Sequence, residues 1–299
     1  MSAALSFLDV GLLTGLIYSL PVVALALAFR VLAFPDLTIE GSFSLAAATF
    51  GIIVKGGGSP TVGAAAGILA GAAAGGLTAL LHARFKINKL LAGIIVVAIC
   101  YTVSLRAMGA PNIGLISAPS AFTLVAFLDR DGTHLGSILL LVAIVSVIVT
   151  LCSQGLASRV GLRLRAAGAN PGYARLLGVN VPANLICGLA LSNAIAATGG
   201  ILSAMSQGFA DAGMGQGLLI MALAALAIGE RTLPVRLNYS GFVLGAALLG
   251  TLIYQVVVCF AIQTGISAVD LKLATAILVL LVIATRASRR GPAFLEGIE

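Results

Sequence analysis

The chain has 299 residues, of which 60% are hydrophobic and 9% charged, and its mean hydropathy is +1.14. A soluble domain carries roughly 25% charged residues, so the composition excludes a soluble protein and calls for an all-α, polytopic transmembrane helical bundle. The net charge of +7 is read as Lys and Arg gathered on one side of a bilayer, not as a nucleic-acid surface.

The first apolar stretch predicts a helix over about 5–29, with a kink at Pro21 and Arg30 closing it. It is too long for a signal-peptide core and has no convincing cleavage site, so it is read as mature structure. The next segment, FPDLTIEGSFSLAAATFGIIV (34–54), starts at Pro35 and Asp36. Glu40, Gly41 and Ser42 follow just inside it. Asp36 and Glu40 are four apart and are expected on one face. Carboxylates at membrane depth face protein or water, not lipid. Two readings fit the pair: residues beside a solute path, or caps on a helix end whose dipole welcomes acids.

KGGGSP (55–60) is a turn. After it Gly63, Gly67, Gly71 and Gly75 recur every fourth residue and form one stripe, which lets another backbone come close within or between subunits. His82, Arg84, Lys86 and Lys89 form a basic loop, with His82 read as an interfacial side chain. A span follows over 90–106. The mixed segment 108–134, with Pro111, Pro119, Asp129, Arg130 and Asp131, is placed outside, either as a contact for a partner or as a simple connector.

A span over 135–152 leads into LASRVGLRLRAAGANPGYARLLGVNVP (156–182), which has Arg159, Arg163, Arg165 and Arg175 and no acid. Its grammar is helix, turn, helix. Asn170 suits an N-cap, Pro171 suits the first helical position, and Gly178 suits a left-handed end. Tyr173, Leu176 and Leu177 share a face. A helix this short is unstable alone and needs a groove. Charge by itself also fits a basic cytoplasmic loop obeying the positive-inside rule.

A span over 183–206 contains Ser192, Asn193, Thr198 and Gly199–Gly200. QGFADAGMGQG (207–217) is expected as a glycine-rich external turn, followed by a short helix over 218–229 that ends at Glu230 and Arg231. The last spans fall at about 239–262 and 266–285, before Arg286, Arg289 and Arg290. Placing the basic clusters inside leaves Lys55, Arg106, Arg130 and Lys272 outside. The alternation then gives about nine spans, within a range of eight to ten, with the N-terminus out and the C-terminus in. One transmembrane domain is expected over 1–290, with a short cytoplasmic tail over 291–299. Segments 34–54 and 207–229 are each short or broken and lie in matching places in the two halves, a pattern that points to a central path.

Cys100, Cys152, Cys187 and Cys259 fall in apolar segments without metal spacing and are read as small core residues. There is no GxxxxGK[ST] run for ATP, no HExxH and no GxSxG. A membrane enzyme finds no catalytic constellation here.

The string RAAGANPGYARLLGVNVP, together with PDLTIEGSF, resembles the ABC importer permeases of the branched-chain amino acid and ribose type, and among them the amino-acid-type permeases with a PDLTIEGSF segment. The resemblance covers the chain from Arg30 to about Arg231. It implies that 156–182 is a coupling loop docked in a cleft of a separate ATP-hydrolysing subunit. Tyr173, Leu176 and Leu177 would supply the apolar face, Arg165 and Arg175 the polar rim, and Gly168 and Gly178 the turns, with Asn170 as cap. Asp36, Glu40, Ser42, Asn193 and Gln207 are the pathway candidates. The resemblance also implies a solute-binding protein, a second permease copy and a place in the bacterial inner membrane. It implies no cofactor on this chain, with ATP and Mg on the partner. Relatives of the PDLTIEGSF type are associated with amino acids, often aromatic, while the wider family moves sugars and nucleosides. The alternative is an ion-coupled secondary transporter using Asp36 or Glu40 as a proton or Na⁺ site.

Overall fold

The computed structural model describes residues 2–116, 120–125, 128–129, 134–233 and 240–263, with the single positions 273 and 277. The expected span at 266–285 and the tail at 291–299 lie outside the described residues, those two positions excepted. Helix α1 (Ser2–Ala26) passes through Pro21 and ends in a π-helical turn, Leu27–Val31. After a break come α2 (Thr38–Lys55), α3 (Pro60–Phe85) and α4 (Lys89–Met108). Then follow strand β1 (Asn112–Gly114), a 3₁₀ turn (Ala121–Leu124) and α5 (Leu135–Ala157). Two short helices, α6 (Arg159–Ala169) and α7 (Pro171–Leu176), precede α8 (Val181–Gln207). Strand β2 (Phe209–Asp211), α9 (Leu218–Thr232) and α10 (Ser240–Gln263) complete the order.

Among the described residues six helices are long and apolar enough to cross a bilayer: α1, α3, α4, α5, α8 and α10. Helices α2 and α9 are not among them, although the expected count of about nine included both.

Local chemistry explains the boundaries. Ser59 caps α3 ahead of Pro60 at its first turn, and Asn88 caps α4 through the N–H of Leu90. Gly109 and Gly208 end α4 and α8 in the left-handed conformation. Between α1 and α2, Ala33 sits at φ +49, a strained conformation for a residue with a side chain. The chain holds it there: Phe34 N–H reaches back to the Ala28 carbonyl (2.9 Å), and Lys89 Nζ takes the carbonyl of Ala33 (3.0 Å).

Helices α1 and α8 lie against each other at the centre. Helix α3 packs on α2 and α8, and α10 packs in the same manner on α9 and α1. Gly188 lies beside Leu32, the Ser192 hydroxyl bonds the Ala24 carbonyl (2.7 Å) and Gly199 meets Pro21, so α1 and α8 run oppositely. The unit α1–α2–α3 thus recurs as α8–α9–α10 turned upside down, the contact pattern of an inverted repeat. The glycine stripe is used within the chain. A Cβ at Gly75 would stand 2.3 Å from the Leu189 carbonyl, one at Gly71 2.5 Å from Ala197 Cβ, and one at Gly67 2.8 Å from the Ala46 carbonyl. These glycines seat α3 between α2 and α8. At the centre, Gly199 of α8 lies against Pro21 and near the Ile17 carbonyl, which the proline leaves without its helical donor.

Residues 207–217 depart from the expected simple turn. Strand β2 pairs antiparallel with β1, Ile113 opposite Ala210. The chain then runs back along α2. Ala210 lies beside Gly51, Gly215 beside Glu40, and Leu219 bonds Glu40. From Gly51 to Glu40 is about 16 Å of helix, so α9 starts well inside the bundle. Non-helical backbone at that depth is stable only when buried in protein or lining a water-filled cavity, and here α2 covers it.

Candidate functional site

The break before α2 leaves Asp36 outside the helix, since its N-cap position is Leu37. The expected shared face of Asp36 and Glu40 therefore does not form. Asp36 turns to α8. Its Oδ1 accepts the Thr38 N–H (2.9 Å) and its Oδ2 accepts Asn193 Nδ2 (2.6 Å). Asn193 Nδ2 also donates to the Leu189 carbonyl (2.9 Å), while its Oδ1 accepts the Ser42 hydroxyl (2.6 Å). Thr38 and Thr78 hydroxyls join α2 to α3 at 2.6 Å. Asp36, Thr38, Ser42, Thr78 and Asn193 are all at most 1% exposed. Buried polar groups of this kind are stable because every partner is present. The same Asp36 carboxylate thus caps the start of α2 and ties it to α8.

Glu40 serves the other side of α2. Its Oε1 accepts the Leu219 N–H in the first turn of α9 (2.9 Å), and the Ser44 hydroxyl oxygen accepts the Gly215 N–H (2.9 Å). A carboxylate at a helix N-terminus meets both unpaired N–H groups and the positive end of the dipole. At the opposite end of α9, Arg30 pairs with Glu230 through two bonds, Nε to Oε1 (2.5 Å) and Nη2 to Oε2 (2.6 Å). Of the five pathway candidates, Asp36, Ser42 and Asn193 meet in one buried seam and Glu40 lies on the next face. Gln207 stands apart at the far end of α8, about 21 Å of helix from Asn193, with its amide donating to Ser203 Oγ (2.8 Å).

The loop 156–182 forms two helices. Ser158 caps α6. Asn170 Oδ1 accepts the Tyr173 N–H (2.9 Å), and Pro171 follows at the first position of α7. Gly178 adopts φ +77, Gly178 N–H bonds the Arg175 carbonyl (3.0 Å) and Val179 N–H bonds the Ala174 carbonyl (3.0 Å), which is a complete Schellman ending. A six-residue helix with both ends closed holds Ala174 inside at 0% exposure. The same helix turns Tyr173, Leu176 and Leu177 outward at 60%, 84% and 63%. Arg175 is exposed beside them.

Two residues of the loop act differently from the expectation. Gly168 permits no turn: it is inside α6, and its added Cβ would meet the Val31 carbonyl at 2.1 Å. It lets α6 press on the π turn that ends α1. Arg165 is half-buried, and its Nε is enclosed with no hydrogen-bond partner among the described residues.

A family model described as the permease component of the branched-chain amino acid transport system matches residues 7–285. The chain belongs to this permease family. The permease is also 34% identical over 271 residues to a tyrosine transport system permease protein of Clostridioides difficile (strain R20291), covering 91% of this chain and 88% of the relative. It is 32% identical over 256 residues to an uncharacterised protein of Rickettsia prowazekii (strain Madrid E), covering 84% and 88%. No solved structure matches it. The permease is a multi-pass membrane subunit of an ABC importer, the component that carries amino-acid transport across the membrane.

Several of these features escape sequence reading for one reason. The partners of Gly168, Glu40 and Asp36 lie 137, 179 and 157 residues away in the chain. The only local signal is the density of glycine and small residues in 207–217 and 166–169, which marks close backbone approach without naming the partner.

Proposed function

We propose that this permease imports an amino acid with an aromatic side chain, tyrosine first, and that α7 docks a separate ATPase whose closure drives the change. The cargo reading is supported by the tyrosine permease among its relatives. The docking reading rests on one observation: three large apolar side chains stand exposed on a helix whose two ends are fully capped. Burying each is worth roughly 1.5–3 kcal/mol, enough together to hold a partner after ordering costs.

Motion has a route inward. Helix α7 joins α6 through Asn170 alone, and α6 bears on the π turn at Gly168 and on α8 through Leu164 beside Gly188. The π turn leads into the strained Ala33 and the Asp36 seam. A displacement of α7 thus reaches the start of α2 through packed backbone. In this reading the α6–α7 end is cytoplasmic, a solute-binding protein meets the opposite end, and two copies stand over two ATPases. A carrier driven by ions alone has no use for an exposed apolar helix.

Leu176→Asp tests this. The variant inserts in the membrane normally, because Leu176 is 84% exposed in the permease itself, but it places an unpaired charge in the docking contact. The ATPase is lost on co-purification, or stays and no longer couples hydrolysis to uptake. Full ATPase content with normal uptake would remove α7 from the mechanism.

A further inference from the structure

At the end of α8 away from α7, about 40 Å along the helix, lies a cavity of about 300 Å³. That volume is at the lower limit of small-ligand pockets. One wall is apolar, made by Phe50, Leu115 and Met205. The other carries Ser120, Thr123, Ser206 and Gln207, and among the described residues no charged side chain lines the space. Ile116, 93% exposed, forms part of its rim.

A second observation gives the cavity a polarity. Helix α8 ends at Gln207, and the last four carbonyls of a helix have no partner within it. Gly208 N–H returns to the Ala204 carbonyl (3.0 Å). Among the described residues no backbone N–H reaches the carbonyls of Met205, Ser206 or Gln207, the same residues that line the cavity. Three unpaired carbonyls at the negative end of a 27-residue helix attract a cation. The side chains around them offer neutral hydrogen-bonding groups and a surface suited to a flat ring.

The geometry points to this cavity as the first seat of the cargo: an amino acid with an aromatic ring, its ammonium held at the carboxyl end of α8 and its ring against Phe50 and Leu115. The inference rests on the importer reading and adds to it a site and an orientation. With no Lys or Arg among the described lining residues, the carboxylate of the solute finds no cation there and stays toward water. The amine is therefore required for binding and the carboxylate is not.

The permease–ATPase complex in lipid nanodiscs, without a solute-binding protein, allows a direct test. In a background with the exposed Cys187 changed to Ser, Ser206→Cys is labelled with a polar maleimide. L-tyrosine and tyramine slow labelling roughly threefold or more once the cavity is mostly filled, and 3-(4-hydroxyphenyl)propanoate does not. Thr123→Cys, from the separate 3₁₀ turn, shows the same pattern and replaces Ser206→Cys if that variant does not assemble. Protection by the acid analogue, or by neither amine, overturns the assignment. Retained ATPase in the same preparation then leaves the importer reading standing, since that reading fails through Leu176→Asp instead.

Discussion

Asp129 caps α5 from outside the helix. Its Oδ1 accepts the N–H groups of Gly136 (2.7 Å) and Ser137 (3.3 Å), and its Oδ2 accepts the Ser137 hydroxyl (2.9 Å). Slight desolvation pushes its pKa up, but the bonds from Ser137 and Gly136 outweigh it, and the carboxyl titrates below its ordinary value of 3.8. A depressed folded-state pKa stabilises the fold above the unfolded value and loses that contribution as pH falls through the folded one. Asp129→Asn should therefore lower the melting temperature at pH 7, by an amount matching about 1 kcal/mol for a half-buried cap near the surface. The gap should close in acid; a gap that is unchanged in acid would mean the charge is not what matters. Sequence alone showed Asp129 only as one charge in a mixed loop, because its donors are seven and eight residues on. Asn170, Pro171 and Gly178 were legible because a cap is a contact within a few residues of the helix end, forward from Asn170 and backward from Gly178. Asp36 was half legible: the cap on α2 is local, while its bond to Asn193 crosses the fold.

At the scale of elements, the stripe on α3 shows what spacing can and cannot say. Period four put Gly63, Gly67, Gly71 and Gly75 on one line and so required a close neighbour. It could not say that the neighbours are α2 and α8 of the same chain. Gly75→Ala drives a methyl to 2.3 Å from the Leu189 carbonyl and 2.5 Å from Asn193 Nδ2. Neither is a flexible side-chain end that can swing far, so α3 must move off α8 and the Asp36–Asn193–Ser42 seam opens. The cost should reach at least the roughly 1–3 kcal/mol of an overpacked core. Gly76 is the control. Its Cβ would meet only Ile186 Cγ2 at 4.0 Å, and Gly76→Ala should be neutral or gain up to about 1 kcal/mol from helix propensity. Thermal unfolding of both variants in one detergent decides it; equal melting temperatures would contradict the packing described.

Two oppositely directed three-helix units, α1–α3 and α8–α10, make the centre of the described structure, and Arg30–Glu230 ties the end of α1 in one to the end of α9 in the other. Arg30 is 31% exposed and Glu230 7%, so the pair lies between a surface bridge and a buried one. Breaking it should cost on the order of 2 kcal/mol, between the values for those extremes. Arg30→Glu should lower the yield of intact permease, and adding Glu230→Arg should restore part of it. A double variant no better than the single one would show that the charges do not act as a pair. Class and helical architecture were readable from composition and apolar run length alone. The inverted pairing was not, since it depends on contacts between helices that hydropathy treats as independent.

The descent of residues 208–217 along α2 bears on how the chain is made. Helix α9 has 15 residues, about 22 Å, and falls short of the roughly 30 Å hydrocarbon core. Its leading amides are completed by Glu40 and Ser44, side chains synthesised some 170 residues earlier. Released alone into lipid, that segment would carry bare N–H groups into hydrocarbon. Helix α9 therefore cannot be handed to the membrane as a separate hydrophobic segment. It has to be kept at the insertion machinery until α2 is beside it, and membrane entry and tertiary folding become one step for this part of the permease.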